Sequence, residues 1–156
     1  MPFISHPSRK NIRLDPSIYR QSHFLFLTLC THNKSHLFGF IENGILHPTE
    51  IGNIARSQIE RFSWRYPHIH IHASVLMPNH MHLLVEWTAH TRVVSPSPGQ
   101  FVNLLKGAVS HACGKSIWQR GYYDHVIRDE ADGLRILEYM ENNPRKWELD
   151  KEYTVE

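Results

Sequence analysis

Two histidines separated by one residue, His80 and His82, are the side chains best placed by spacing to do chemistry. On an extended strand, residues two apart project from one face, so the two imidazoles can share a divalent ion. Taken alone, such a pair fits a solvated strand face better than a metal site. Tyr139 and Asn143 are four apart, which on a helix puts a phenol and an amide on the same side. They also fit an ordinary packing residue and a helix end before Pro144. A third group interleaves aromatic with basic side chains: Trp118, Arg120, Tyr122, Tyr123, His125 and Arg128. Rings can stack on unpaired bases while the cations meet phosphates; a strand and turn with plain aromatic packing is the other reading.

These residues need elements to hold them. Residues 23–31, rich in Phe, Leu and Thr, read as a buried strand. Residues 33–43 read as a loop with a short extended piece at 37–41. Ile51, Ile54, Ala55, Ile59 and Phe62 recur at helical spacing over residues 49–66, and Pro67 stops that helix. Residues 68–76 alternate, with Ile69, Ile71, Ala73 and Val75 on one face and His68, His70, His72 and Ser74 on the other. That histidine series mimics the signature of histidine-triad nucleotide hydrolases. A tight connection through Pro78 and Asn79 leads to a second strand at 80–87, with Met81, Leu83 and Val85 facing away from the histidine pair. Ser97-Pro98-Gly99-Gln100 is a capping box with proline at the first helical position. Phe101, Leu104, Leu105, Ala108, Val109 and Ala112 give that helix its apolar stripe, and Gly114 ends it. Residues 117–128 hold a last strand. Asp129 caps a helix expected to end at Asn143, docked through Leu134, Leu137 and Met140. The order β–α–β–β–α–β–α predicts an α+β, ferredoxin-like antiparallel sheet with helices on one face and an extra C-terminal helix across or beside it.

The whole chain sets bounds. Its 156 residues suit one core: a basic arm at 1–22, one domain at 23–150 and a short tail at 151–156. No apolar run approaches a membrane span, and two cysteines cannot build a disulfide framework. A cytoplasmic protein, associated with the nucleoid, is the expectation. Net charge is only +2, yet residues 1–128 carry thirteen Lys and Arg against six Asp and Glu, and the remainder four against nine. All thirteen histidines precede Asp129. A basic majority of the chain suits a polyanion partner.

Three blocks then occur in order: Met77-Pro78-Asn79-His80-Met81-His82-Leu83-Leu84-Val85, the run from Trp118 to Glu130, and Tyr139-Met140-Glu141-Asn142-Asn143-Pro144-Arg145-Lys146-Trp147. Together they closely resemble the REP-associated tyrosine transposases, a branch of the single-tyrosine HUH transposases. The resemblance implies that His80 and His82 are metal ligands, Asn143 a third ligand where some relatives carry glutamine, and Tyr139 the nucleophile. It implies Mg²⁺ or Mn²⁺ as cofactor, the donor mixture suiting Mn²⁺ somewhat better. It implies single-stranded DNA hairpins of repetitive extragenic palindromes, flanked by guide bases, as substrate, and a monomer or homodimer. Cleavage and rejoining would pass through a 5′-phosphotyrosine. Arg9, Lys10, Arg13 and Arg20 of the arm, with Lys106 and the aromatic–basic segment, are the candidate DNA contacts. A non-catalytic single-stranded nucleic-acid-binding module and a histidine-triad hydrolase are the competing readings.

Overall fold

The computed structural model describes residues 8–9, 23–88 and 95–149. Lys10, Arg13, Arg20 and the tail lie outside the described residues. Among the described residues, no helix is long and apolar enough to cross a membrane.

The elements run β1 Ser8–Arg9, β2 His23–Cys30, β3 Gly39–Glu42, β4 Ile45–Pro48, α1 Glu50–Arg65, β5 Ile69–Met77, β6 His80–Trp87, α2 Pro98–Cys113, β7 Tyr123–Ile127 and α3 Glu130–Leu149. One antiparallel sheet has the order β1-β7-β2-β6-β5, and β3 and β4 pair as a separate hairpin. The connection through α1 joins β2 to β5 across β6, and α2 joins β6 to β7 across β2. This is the ferredoxin-like arrangement, and it lands both helices on one face.

Local chemistry sets the helix ends. Thr49 Oγ1 accepts from the Gly52 N–H at 3.0 Å to start α1, and Pro67 follows its last turn. Gly52 is required because a Cβ there would meet the Phe38 carbonyl oxygen at 2.1 Å. For α2, Ser97 and Gln100 cap each other reciprocally at 2.9 and 3.3 Å. Leu25, Leu27 and Leu29 of β2 and Met81, Leu83 and Val85 of β6 pack under Ala55, Ile59 and Phe62 of α1 and Phe101, Val102, Leu105 and Val109 of α2. The other sheet face holds a small cluster, Phe26 and Leu84 under Ile136 and Met140 of α3. The third helix therefore covers the opposite face rather than lying beside the sheet.

Four local expectations change. First, residues 39–48 form a hairpin, not a loop: Asn43 (φ 56°) and Gly44 (φ 73°) make the two-residue turn whose left-handed dihedrals match strand twist. Second, β5 does not alternate strictly. The register passes from Ile71↔Val85 to Ala73↔Leu84, leaving His72 as a bulge. Ile69 and Ile71 thus join the main core, whereas Ala73 and Val75 join the α3 cluster. Third, α3 runs through Pro144 to Leu149. An interior proline costs about 3 kcal/mol, but beyond it Trp147 is buried and packs on His36 and His80, at 5.4 and 6.2 Å between ring centroids. Burying a large side chain offsets much of that penalty. Fourth, the docking stripe is Ile136, Met140, Asn143 and Trp147, while Leu134 and Leu137 are exposed. The helix turns the side bearing Tyr139 and Asn143 to the sheet, and Leu134 lies on the far side of that helix.

Candidate active site and nucleic-acid interface

Because Met81, Leu83 and Val85 fill the main core, His80 and His82 must project onto the face that α3 covers. His82 is 3% exposed. Its ring stacks on Phe26 at 4.8 Å and meets Tyr139 at 5.6 Å. Thr28, directly across on β2, places Oγ1 2.9 Å from His82 Nδ1. With the hydroxyl accepting, Nδ1 carries the proton and the Nε2 lone pair is bare. That Nε2 is buried and hydrogen-bonded to nothing among the described residues. His80 Nδ1 donates to Asn79 Oδ1 at 2.7 Å, which leaves its own Nε2 as an acceptor. The two rings are 4.6 Å apart.

Asn143, itself buried, lies beside the His80 side chain and favours its charged form. Tyr139, one turn earlier, is half-buried and sits edge-on to Phe26 at 6.0 Å. Burial above all, then the charge of Lys34, holds the His80 pKa down to about 4, against the opposing Asn143 amide. Burial and the neighbouring His80 hold His82 well below the ordinary imidazole value. Both rings are therefore neutral near pH 7, the form that donates a lone pair to a metal.

The donor set fits a divalent cation: two neutral imidazole nitrogens, one of them an orphaned buried atom, beside an amide. Among the described residues no group of three or more His, Cys, Asp or Glu converges as a metal cluster. A third protein donor here would be of another type, such as the amide of Asn143. Tyr139, His80, His82 and Asn143 are thus brought together from two elements.

The other sequence candidates divide. Tyr123 lies in one cross-strand row with Thr28 and His82, so it shares their face. Arg9 pairs with Tyr123 through β1. Arg120 and Arg128 are exposed. His125 Nε2 donates to Asp132 Oδ2 at 2.9 Å, tying β7 to the first turn of α3. Trp118 and Tyr122 pack against the main core on the opposite face, and Trp118 Nε1 donates to the Lys106 carbonyl. Lys106 Nζ donates to the carbonyls of Gln119 and Gly121, clamping that loop from within. Of the alternating histidines, His72 pairs with Glu86 at 2.7 Å and His68 lies 3.3 Å from Thr88 Oγ1. The bulge and these partners separate them in role from the buried pair. Sequence reasoning missed Thr28, Asn79, Asp132 and Trp147. A lone hydroxyl inside an apolar strand and an asparagine beside the histidine pair were the available signals.

No protein-family model matches the sequence. An uncharacterized protein of Haemophilus influenzae is 34% identical over 167 residues, covering 93% of each chain. The REP-associated tyrosine transposase of Escherichia coli is 34% identical over 80 residues, covering 49% of this chain and 44% of that protein. A solved REP-associated tyrosine transposase bound to a REP hairpin superposes with a TM-score of 0.65 at 25% identity, covering 88% of this chain and 73% of that one. The chain is similar to the REP-associated tyrosine transposases in sequence and in fold. REP-associated transposases are thus matched in fold along most of this chain, and in sequence over about half of it.

Proposed function

We propose that this protein is a metal-dependent single-stranded DNA transesterase that cleaves and rejoins REP-type hairpin DNA with flanking guide bases. The observation that carries the reading is the bare, buried Nε2 of His82 set beside His80, Asn143 and the Tyr139 ring. A non-catalytic binder has no use for that combination. Bound there, Mg²⁺ or Mn²⁺ would polarise the scissile phosphate as a Lewis acid. His80, His82 and Asn143 would hold it, with Asn79 and Thr28 fixing the ring orientations. The Tyr139 oxygen attacks phosphorus as its proton departs. The phosphorus–O3′ bond breaks, the 3′-oxygen takes up a proton, and a 5′-phosphotyrosine forms. Attack by a 3′-hydroxyl reverses the exchange; one phosphodiester replaces another, so no nucleotide is consumed. The solved relative bound to a REP hairpin supports the substrate class.

The test is incubation with labelled REP-type hairpin and Mn²⁺, followed by denaturing electrophoresis. A label that stays with the protein, and that fails to appear when the metal is chelated before mixing, is the expected result. Hairpin binding with no covalent adduct under any divalent ion would leave only a binding module.

A further inference from the structure

We propose that Lys34 is the phosphate-contacting cation of this site, a role resting on the transesterase reading above. Asn33 (φ 56°) and Lys34 (φ 53°) are consecutive non-glycine residues in the left-handed region. Such backbone strain persists only where the surroundings impose it, and it clusters at functional sites. Here the surroundings are specific. The buried Thr31 hydroxyl donates to the carbonyls of Ser35 and Asn79 at 2.7 and 3.0 Å. The Lys34 N–H donates to the Thr31 carbonyl at 3.1 Å. The Asn79 side chain spans the remaining gap: its Nδ2 donates to the Lys34 carbonyl at 3.3 Å while its Oδ1 accepts from His80. One amide therefore fixes the position of the Lys34 backbone against a candidate metal ligand.

Through Asn79 the turn brings Lys34 to that end of the sheet. The two lysines of this region differ. Lys106 is taken up by two backbone carbonyls. Lys34 is exposed, and among the described residues its ammonium pairs with no carboxylate. None of the side chains gathered at the histidine pair is acidic, so a bound phosphodiester is the anion that balances this cation. An ammonium held there stabilises the extra negative charge that gathers on phosphate oxygens as Tyr139 attacks.

The experiment measures single-turnover adduct formation with wild type, Lys34→Gly and Lys34→Arg. Each is tested on hairpins carrying a normal or a methylphosphonate linkage at the scissile position, and Mn²⁺ affinity is followed by electron paramagnetic resonance. Glycine accepts a positive φ without strain, so Lys34→Gly keeps the turn while deleting the charge. Expected are a loss of about 100-fold or more in rate, the scale of removing one charge-stabilising donor, with unchanged Mn²⁺ affinity and substantial recovery in Lys34→Arg. The methylphosphonate should slow Lys34→Gly less than it slows wild type. An adduct formed by Lys34→Gly at the wild-type rate, an equal methylphosphonate penalty, or a loss traced to Mn²⁺ affinity overturns the role of Lys34 while leaving the transesterase standing. Absence of any adduct from wild type overturns the transesterase itself and Lys34 with it.

Discussion

At Tyr139 a single oxygen separates the proposed chemistry from packing. The ring lies edge-on to Phe26 and beside His82, and phenylalanine keeps both neighbours. Tyr139→Phe should abolish adduct formation and leave hairpin affinity unchanged, compared by denaturing gel and gel shift; an undiminished adduct would exclude this nucleophile. Thr28 tests the ring orientation of His82. Thr28→Val preserves shape in a buried position and deletes the partner of Nδ1, so Mn²⁺ affinity should fall about 10–100-fold, as when an outer-shell partner of a metal histidine is removed. Calorimetric titration with Mn²⁺ measures it. His80, His82, Tyr139 and Asn143 were legible as candidates because their spacing is local. Thr28 was not, since a hydroxyl 54 residues from its histidine is tied to it only by strand register.

The elements were legible where a short motif determines them. The Ser97 capping box sits where its residues predict, and the helix expected over residues 49–66 forms with Thr49 as its cap. The Asn43-Gly44 pair is an equally local signal, for a hairpin, that a loop assignment overlooks. Two departures had no local signal. The bulge at His72 depends on which face of β5 meets α1 and which meets α3, and the continuation of α3 through Pro144 depends on Trp147 finding His36 and His80. The start of α3 yields a pH-dependent prediction. Burial pushes the Asp132 carboxyl up, but bonds from His125 and the Arg128 N–H, with nearby positive charge, outweigh it and leave the pKa lowered. A depressed carboxylate stabilises the fold fully above its unfolded value of about 3.9 and progressively less as pH falls through the folded value. Asp132→Asn should therefore be less stable than wild type near neutrality, and the gap in denaturant midpoint should close below about pH 4. A gap independent of pH would show that Asp132 acts through shape alone.

For the molecule as a whole, charge is divided along the chain, with the basic excess before Asp129. Phosphates neutralised by lysine and arginine release counterions, so hairpin affinity should fall steeply with salt. Deleting residues 1–20 removes Arg9, Lys10, Arg13 and Arg20 together with Asp15. The logarithmic salt slope should shallow by about 0.7–0.9 for each phosphate that the shortened chain no longer neutralises, and discrimination between guide sequences should weaken; gel shifts across a salt series report both. The unequal faces of the sheet bear on exchange with solvent. Under α1 and α2 lies an extensive core, whereas α3 is held by a smaller one, Phe26 and Leu84 with the partly buried Phe24, Ala73, Val75 and Ile127, together with Trp147 and the Asp132 contacts. Sparse burial makes a separate cooperative unit that opens below the global free energy. Amides of α3 should take up deuterium well before those of β2 and β6, and a hairpin held covalently by Tyr139 should not abolish that difference. A helix that lifts while the sheet stays closed would carry its attached strand end away from the histidines, clearing the place an incoming 3′-hydroxyl must enter.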